Sequence, residues 1–196
     1  MNTTLSDRQN QILAASIGII HSEGIQGFTI KNLSNAIGVT DAAIYRHFKS
    51  KNEILCAVLD NFTAKLLGFI LSLENTNISS FEKIKKVYEK LSNTFTNKPA
   101  YVSVIFAEEI FKNAKPLSKK VSKILELNNE AFNSIIEEGQ KNNEITNEIE
   151  SQELTLMVMG AFRLMVKSWK MKDFSFSLIE ASEKLYSSIE ILIKEK

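Results

Sequence analysis

The 196 residues include 24 Lys and Arg against 23 Asp and Glu, which gives a formal net charge of +1 at pH 7. Overall basicity therefore does not indicate nucleic-acid binding, and any contact with DNA needs a local basic patch. Apolar residues make up 44% of the chain and charged residues 24%, an ordinary balance for a globular protein. With only 7 Gly and 2 Pro, the sequence has few turn signals, and it predicts an all-α fold.

The single cysteine, Cys56, excludes an internal disulfide and fits a reducing compartment. The opening residues MNTTLSDRQN lack the apolar core of a signal peptide. No run approaches the ~18 uninterrupted apolar residues of a membrane span. We therefore expect a cytoplasmic protein that has no membrane partner.

The first predicted helix begins at Ser6, which can form a capping box with Gln9. Its predicted buried stripe consists of Ile12, Ala15, Ile19 and Ile20. Gly24 and Gly27 mark its end. We expect this helix to brace the two helices that follow, because they are too short to be stable alone in water.

Residues 28 to 51, FTIKNLSNAIGVTDAAIYRHFKSK, have the pattern of a helix-turn-helix. Thr29 is the predicted N-cap of a short helix that Gly38 ends. The predicted buried stripe of that helix consists of Ile30, Leu33, Ala36 and Ile37. Thr40 is the predicted N-cap of the second helix, which places Ile44 and Phe48 on its apolar face. Its opposite face carries small, hydrogen-bonding and basic residues, which are suited to a DNA groove.

Residues 8 to 62 resemble the N-terminal DNA-binding domain of the tetracycline-repressor (TetR) family. The resemblance is carried by FTIKNLSNAIGVTDAAIYRHFKSKNEIL, with Gly-Val-Thr, then Ile-Tyr-Arg-His-Phe, then Lys at fixed offsets. Together with the helical pattern it implies an all-α fold of about nine helices. An N-terminal three-helix helix-turn-helix domain, residues 1–50, would be joined by a long helix to a C-terminal helical ligand-binding and dimerisation domain, residues 51–196.

The resemblance also assigns candidate DNA contacts. It places base contacts at Thr40, Asp41, Ala42 and Ala43, and phosphate contacts at Thr29, Tyr45, His47 and Lys51. Arg46 joins them because it lies in a patch without acidic residues from Ala42 to Lys51. Alternatives remain open. The threonines can be caps only, Tyr45 can pack beside Phe48, and Asp41 can stabilise its helix instead of facing a base.

The remaining pattern predicts a helical body. Ser50 with Glu53 begins a long helix whose apolar stripe continues to Leu73, beyond the DNA-binding head, so it must link two cores. Later helices are predicted from Ser79 to about 97, over PAYVSVIFAEEIFKN from Pro99, and from about 117 to 138, closed by Gly139. The last two are predicted over about 150 to 171 and from Ser177 onward.

The penultimate helix is apolar around almost its whole circumference between Leu154 and Val166. Such a helix is buried on more than one side. We therefore predict a homodimer in which the last two helices of each copy form a four-helix bundle. The family resemblance implies the same arrangement.

Aromatic and methionine residues of the body predict an adaptable apolar pocket. They are Phe95, Tyr101, Phe106, Phe111, Met157, Phe162, Met165 and Trp169. A plain filled core explains each of them equally well. Arg163 needs a partner if it is buried. Glu108 or Glu109 is the favoured partner, and the carboxylate or phosphate of an effector is the alternative.

These features predict a ligand-responsive transcriptional repressor that binds a palindromic operator in double-stranded DNA as a homodimer and is released by a small apolar or amphipathic effector. The alternative is a DNA-binding regulator whose body is a protein-interaction module without a ligand. An enzyme is not expected, because no catalytic, metal-binding or cofactor-binding motif is present. His47 and the distant His21 do not form a metal site.

Overall fold

The computed structural model describes residues 5–74, 76–107 and 115–195. Within these ranges it contains nine α-helices: α1 (Asp7–Gly27), α2 (Ile30–Ile37), α3 (Asp41–Tyr45), α4 (Lys51–Glu74), α5 (Ser80–Asn97), α6 (Ala100–Ile105), α7 (Lys115–Lys141), α8 (Ser151–Met171) and α9 (Leu178–Ile193). The predicted all-α fold is confirmed.

The helix starts follow the predicted capping residues. Ser6 accepts a hydrogen bond from the backbone N–H of Gln9, whose side chain returns to the Ser6 N–H. Thr29 and Thr40 cap α2 and α3, and the Ser177 hydroxyl caps α9. Each satisfies a backbone donor that the first helical turn leaves without a partner.

Two predicted stripes differ from the observed burial. In α1, Ala15 is only half-buried, whereas Ser16 is fully buried and donates to the carbonyl of Ile12. In α2, Ala36 is exposed and Ser34 is buried in its place. Ser34 lies between Ile30, Leu33 and Ile37 at helical spacing, and its hydroxyl donates a hydrogen bond to the Asp41 carboxylate, a contact that spacing alone does not reveal.

Helix α7 is longer than predicted at both ends. It begins at Lys115, so Pro116 falls in its first turn, where a missing N–H costs little. It continues to Lys141, and Gly139 lies inside it instead of closing it. A Cβ on Gly139 would lie 2.5 Å from Ile145 Cδ1 and 2.9 Å from Ser80 Cβ. Glycine is therefore needed here for close packing.

Helix α6 is shorter than the predicted segment from Pro99 to residue 113. It ends at Ile105, and Phe106 follows as its C-cap. The rest of that predicted helix, residues 108–113, lies outside the described residues.

Contacts between residues divide the chain into two compact units. The first unit contains the described residues of 1–62 and 98–122. In it, α1 packs against α2 and α6, and α2 packs against α3. Lys120 Nζ lies 2.7 Å from the Asp60 carboxylate, and the rings of Phe62 and Tyr101 have centroids 5.0 Å apart. These contacts hold the start of α7 and α6 to the first part of α4.

The second unit contains the described residues of 63–97 and 123–195, and in it α9 packs against α5 and α8. Lys83 is fully buried, and its Nζ lies 2.6 and 2.7 Å from the two oxygens of Glu138. The Tyr88 hydroxyl donates to the Val158 carbonyl at 2.7 Å. Each buried polar group in these contacts has a partner, as a stable core requires.

Helices α4 and α7 each contribute residues to both units. The predicted domain boundary after residue 50 stays a prediction. Among the described helices, α4 is the one with the length and hydropathy of a membrane span, with 44% of its most apolar window buried. Its residues Ile54, Leu59, Leu66 and Leu73 are buried in the protein core, as in the core helix of a helical bundle.

Candidate functional site

Helix α3 presents one side to the core and the other to solvent. Gly38 adopts a left-handed conformation with φ of 69°, which turns the chain between α2 and α3. Ile44 and Phe48 are buried, as predicted. Tyr45 is 51% exposed, so it does not pack in the core beside Phe48.

The predicted DNA contacts around α3 are accessible to different degrees. Exposed residues are Thr29, Thr40, Ala42, Tyr45 and Arg46, and half-exposed residues are Asp41, Ala43, His47 and Lys51. The exposed basic residue Lys49 extends the same segment. This surface combines cations, hydroxyl groups and methyl groups, which can contact phosphates and base edges.

Asp41 has a structural contact that the sequence analysis did not identify. Its carboxylate accepts a hydrogen bond from the buried hydroxyl of Ser34, which ties the start of α3 to α2. This contact supports the reading in which Asp41 stabilises the motif. The signal in the sequence was a serine at a position next to the apolar stripe of α2.

The Lys51 side chain also serves the fold. Its Nζ donates to the carbonyl of Ile25 at 3.2 Å and lies 5.5 Å from the centroid of the Phe28 ring. Partial burial lowers the pKa of the Lys51 ammonium group. Lys51 is also the first residue of α4, where backbone N–H groups favour a phosphate. A phosphate contact by its backbone remains compatible with this arrangement.

Two family models together match most of the chain. Residues 12–58 match the model of bacterial regulatory proteins of the tetR family, and residues 62–193 match that of the C-terminal region of YsiA-like proteins. The chain belongs to the TetR family. It is therefore a DNA-binding transcriptional regulator, and the resemblance found from its helix-turn-helix is confirmed.

Proteins of two kinds are similar to nearly the whole chain. The nucleoid occlusion factor SlmA of Actinobacillus pleuropneumoniae is 24% identical over 97% of this chain and 95% of its own length. The fatty acid metabolism regulator protein of Bacillus subtilis is 24% identical over 93% of this chain and 92% of its own length.

Solved structures share the fold. The fatty acid degradation regulator FadR from Bacillus halodurans superposes with a TM-score of 0.85, at 19% identity over 96% of this chain and 97% of that one. FadR from Bacillus subtilis, in complex with stearoyl-CoA, gives 0.77 at 20% identity over 92% of this chain and 96% of that one. They confirm the TetR fold, with an N-terminal helix-turn-helix and a C-terminal helical domain.

The predicted effector residues lie in several different environments. Tyr101 and Phe106 are buried in the first unit, and Phe95, Phe162 and Trp169 are buried in the second. Arg163 and Met165 are half-buried, and Met157 is 55% exposed. Glu109, with Glu108 and Phe111, lies outside the described residues. A common pocket formed by these residues stays a prediction.

Some of these rings have well-defined packing partners. The Phe162 ring has its centroid 4.7 Å from that of Tyr88. Trp169 Nε1 donates to the Phe176 carbonyl at 2.9 Å, and its ring contacts Phe174 edge-on at 4.7 Å. Core packing accounts for these positions without a ligand.

The structure also contains two clefts in the second unit. One of about 480 Å³ is lined by Phe69, Lys86, Glu89, Lys90, Asn93, Thr94 and Asn97. The other, of about 390 Å³, separates α5 from α9 and includes Lys85, Glu89, Ser182, Tyr186 and Glu190. Most of the residues that line each cleft are polar, and neither cleft is lined by a predicted effector residue.

Large apolar residues are exposed on the last two helices. They are Leu156, Met157, Leu164 and Met171 of α8, and Ile191 and Leu192 of α9, between 55% and 80% exposed. In α8 Leu164 follows Leu156 and Met157 by about two helical turns and precedes Met171 by about two more, so these positions share a face. An exposed apolar face of this kind marks an interaction surface.

Within the described ranges, no group of three or more His, Cys, Asp or Glu residues could hold a metal ion. The buried ion pair of Lys83 with Glu138 was not predicted from the sequence. A lysine in an apolar stripe of α5, beside Ile84 and Val87, was the only sequence signal, and spacing cannot identify its partner 55 residues away.

Proposed function

We propose that this TetR-family regulator is a homodimeric repressor that binds a palindromic operator in the cytoplasm and is released by an amphipathic acyl effector. The observation that carries the proposal is the exposed face of α3 within a segment that matches the family's DNA-binding model. Its supporting observation is the exposed apolar face of α8 and α9.

In this proposal α3 enters the major groove of each half-site. Thr40, Asp41, Ala42 and Ala43 are at the end of the helix that approaches the bases, where the alanine methyl groups can meet thymine methyls. Phosphate contacts come from Thr29, Tyr45, Arg46, His47 and the backbone at Lys51. Two such heads bind half-sites about one helical turn of DNA apart or more, ~34–36 Å.

The proposed dimer uses the exposed apolar face of the last two helices. Leu164 lies near the middle of the exposed residues of α8, and Leu192 is exposed on α9. A two-fold axis would place each apolar residue against the same surface of the partner copy, which removes it from water. Burial of such side chains stabilises an interface by roughly 1.5–3 kcal/mol for each fully buried residue.

The proposed effector is a long-chain acyl thioester. This choice is supported by the similarity to FadR from Bacillus subtilis, whose structure contains stearoyl-CoA. Because α4 continues from the helix-turn-helix into the second unit, a ligand that shifts α4 changes the separation of the two heads. A coupling of only ~1–3 kcal/mol would lower operator affinity by 5- to 150-fold.

The proposal is tested by selecting DNA from a random pool and then titrating the selected duplex by fluorescence anisotropy. We expect a palindromic consensus that binds one dimer, and release of the duplex by stearoyl-CoA. No sequence preference and no binding at low salt would refute DNA regulation. Binding without a response to stearoyl-CoA would refute only the proposed effector.

A body without a small-molecule ligand is the second candidate. The similarity to nucleoid occlusion factors and the packed rings of Phe162 and Trp169 favour it. In that case the second unit would contact another protein while α3 holds DNA. A thermal-shift titration with stearoyl-CoA that leaves the unfolding midpoint unchanged would favour this candidate.

A further inference from the structure

Helix α3 is too short to hold its own orientation. It covers only Asp41–Tyr45, and within this range Ile44 is the one buried residue. A helix of this length is not stable alone in water, so neighbouring elements must fix its direction. The Thr40 hydroxyl caps α3 by accepting from the Ala43 N–H at 3.3 Å, but this bond stays within the start of α3. It does not connect α3 to α2.

Ser34 of α2 makes that connection with both its backbone and its side chain. Its carbonyl accepts from the Val39 N–H at 3.0 Å, which holds the turn between the two helices. Its hydroxyl donates to the carboxylate of Asp41, the first residue of α3. Ser34 is buried, whereas Asp41 is half-exposed. The bond therefore joins the interior of the motif to the start of the helix that faces solvent.

The Ser34 hydroxyl can donate to two oxygens but carries a single hydrogen. One acceptor is the Lys31 carbonyl at 3.0 Å, and the other is the Asp41 carboxylate. A hydrogen bond to an ionised carboxylate is stronger than one to a neutral carbonyl, so the hydrogen goes to Asp41. Because Ser34 is buried, water competes little for this bond.

The position of Asp41 gives this bond a consequence for DNA. Asp41 is followed directly by Ala42 and Ala43, whose methyl groups contact bases in the proposed function. A bond that fixes the first residue of α3 also fixes where the next two residues lie. The carboxylate can instead accept directly from cytosine N4 in the major groove. The bond with Ser34 directs one of its oxygens to α2 and so favours the indirect role.

We infer that Asp41 is a positioning residue for operator recognition: its bond with Ser34 holds α3 in the orientation that brings Ala42 and Ala43 to the bases. Asp41 itself contacts no base. This inference rests on the proposed function, because it requires α3 to enter the major groove. Without the bond, α3 occupies other orientations as well, and the apparent affinity falls in proportion to the fraction that remains competent.

The test compares specific and non-specific DNA binding by full-length Ser34→Ala, Asp41→Ala and the double variant. Anisotropy titration with the selected palindromic duplex gives the specific dissociation constant, and a scrambled duplex of the same length gives the non-specific one. Non-specific binding depends on phosphate contacts, so the ratio of the two constants reports how well α3 reads bases. A role in stability alone does not change this ratio, provided that thermal unfolding shows each variant to be folded at the titration temperature.

Ser16→Ala is the matched control for Ser34→Ala. Ser16 is also buried in the first unit, but its hydroxyl donates to the Ile12 carbonyl within α1. The substitution therefore removes a buried hydroxyl from the same unit without touching the connection between α2 and α3. Ser16→Ala should keep the wild-type ratio of specific to non-specific binding.

We expect Ser34→Ala and Asp41→Ala each to weaken specific binding about tenfold and to change non-specific binding by less than about twofold. The double variant should lose no more than either single variant, because both substitutions remove the same bond. Asp41→Asn keeps an acceptor oxygen for Ser34. It should lose less affinity than Asp41→Ala and select the same palindrome as the wild type.

An unchanged ratio in Ser34→Ala would overturn the inference. A loss confined to Asp41→Ala, or a changed base preference in Asp41→Asn, would overturn it as well, because Asp41 would then contact a base directly. If Ser34→Ala does not fold, Ser34→Cys keeps the size of the side chain and weakens its donor, and the same change of ratio is required.

Failure of the inference and failure of the proposed function are distinguishable. If the wild type prefers no duplex over the scrambled one, the proposed reading of bases by α3 is wrong, and the inference is wrong with it. If the wild type discriminates between the two duplexes and the Ser34 and Asp41 variants discriminate equally well, only the inference is wrong.

Discussion

Tyr45 presents its ring to solvent on α3, while Ile44 beside it is buried. We expect Tyr45→Ala to weaken operator binding about tenfold because a phosphate contact is lost. A loss of that size corresponds to one good polar or stacking contact. The free energy of unfolding should change by less than about 0.5 kcal/mol, as for most surface substitutions. Anisotropy titration and urea unfolding measure the two effects.

Tyr45→Phe is the control for the hydroxyl group, since it keeps the ring and removes only the hydrogen bond. It should retain normal stability and show a smaller loss of affinity. Parallel loss of stability and DNA binding in Tyr45→Ala would mean that the ring supports the motif and does not contact DNA.

Lys49 and Lys51 are two residues apart but have different surroundings. Lys51 Nζ bonds to the Ile25 carbonyl, whereas Lys49 is exposed. We expect Lys51→Met to destabilise the protein by about 1 kcal/mol, because the carbonyl loses its donor. Lys49→Met should leave stability unchanged and lower DNA affinity, with a shallower salt dependence by about one unit of slope.

Urea unfolding and anisotropy at several salt concentrations separate these two effects. If Lys49→Met lost stability while Lys51→Met lost only DNA affinity, the assignment of the two side chains would be reversed.

Among the elements, α7 shows how packing can override a helix-ending residue. Gly139 lies within the helix, where Ile145 and Ser80 leave no space for a Cβ. We expect Gly139→Ala to destabilise the protein by roughly 1–3 kcal/mol through overpacking, although alanine favours a helix. Gly68→Ala in α4 is the matched control, since nothing lies within 4 Å of its Cβ position.

Gly68→Ala should raise stability by up to about 1 kcal/mol because it meets no clash and lowers the entropy of the unfolded chain. Chemical unfolding of both variants tests the pair. A stabilising effect of both would show that the contact with Ile145 is loose.

The contact between α5 and α9 gives a prediction for alkaline pH. The pKa of Tyr186 is raised from its ordinary value of 10.0 to about 12, first by burial and then by Glu190, Glu82 and Glu89. Because the pKa of Tyr186 is higher in the folded than in the unfolded state, its contribution to stability is fully present below the unfolded-state pKa. This contribution is lost as the pH rises through the folded-state pKa. We therefore expect Tyr186→Phe to lose less stability than the wild type between about pH 10 and 12.

Solvent screens this partly exposed group, so the difference should stay below about 1 kcal/mol. Urea unfolding at about pH 9 and 11 compares Tyr186→Phe with Tyr45→Phe, which changes an exposed tyrosine of α3. Identical pH dependence in the two variants would contradict the prediction.

Local chemistry made most element starts predictable. Ser6, Thr29 and Thr40 each accept a hydrogen bond from the backbone N–H three residues later, so their capping roles can be read from spacing. The position of Gly139 could not be read in this way, because Ile145 and Ser80 reach it through tertiary packing. Helix ends that depend on distant contacts are invisible to a local pattern.

At the scale of the whole molecule, the exposure of the proposed DNA-binding residues was easier to predict than the arrangement of the proposed effector residues. The positions around α3 lie in one continuous segment with a specific motif. The proposed effector residues come from separate helices, and their meeting depends on packing that the sequence does not encode locally.

The proposed two-fold symmetry of the dimer rests on the exposed apolar residues of α8 and α9. Leu164 is 69% exposed on α8, and Leu71 is 52% exposed on α4, away from these two helices in sequence. A charge placed at Leu164 would be buried and unpaired in the proposed dimer, whereas one at Leu71 would remain in water. Leu71→Glu is therefore the matched control for Leu164→Glu.

Sedimentation equilibrium tests most directly whether two DNA-binding heads are held together through this C-terminal face. The wild type and Leu71→Glu should sediment at twice the chain mass of 22.1 kDa. Leu164→Glu should shift toward the monomer. It should bind a palindromic duplex at least about tenfold more weakly, because the two DNA-binding heads are no longer joined. A wild-type protein that sediments as a monomer, yet binds the palindrome tightly, would contradict the proposed architecture.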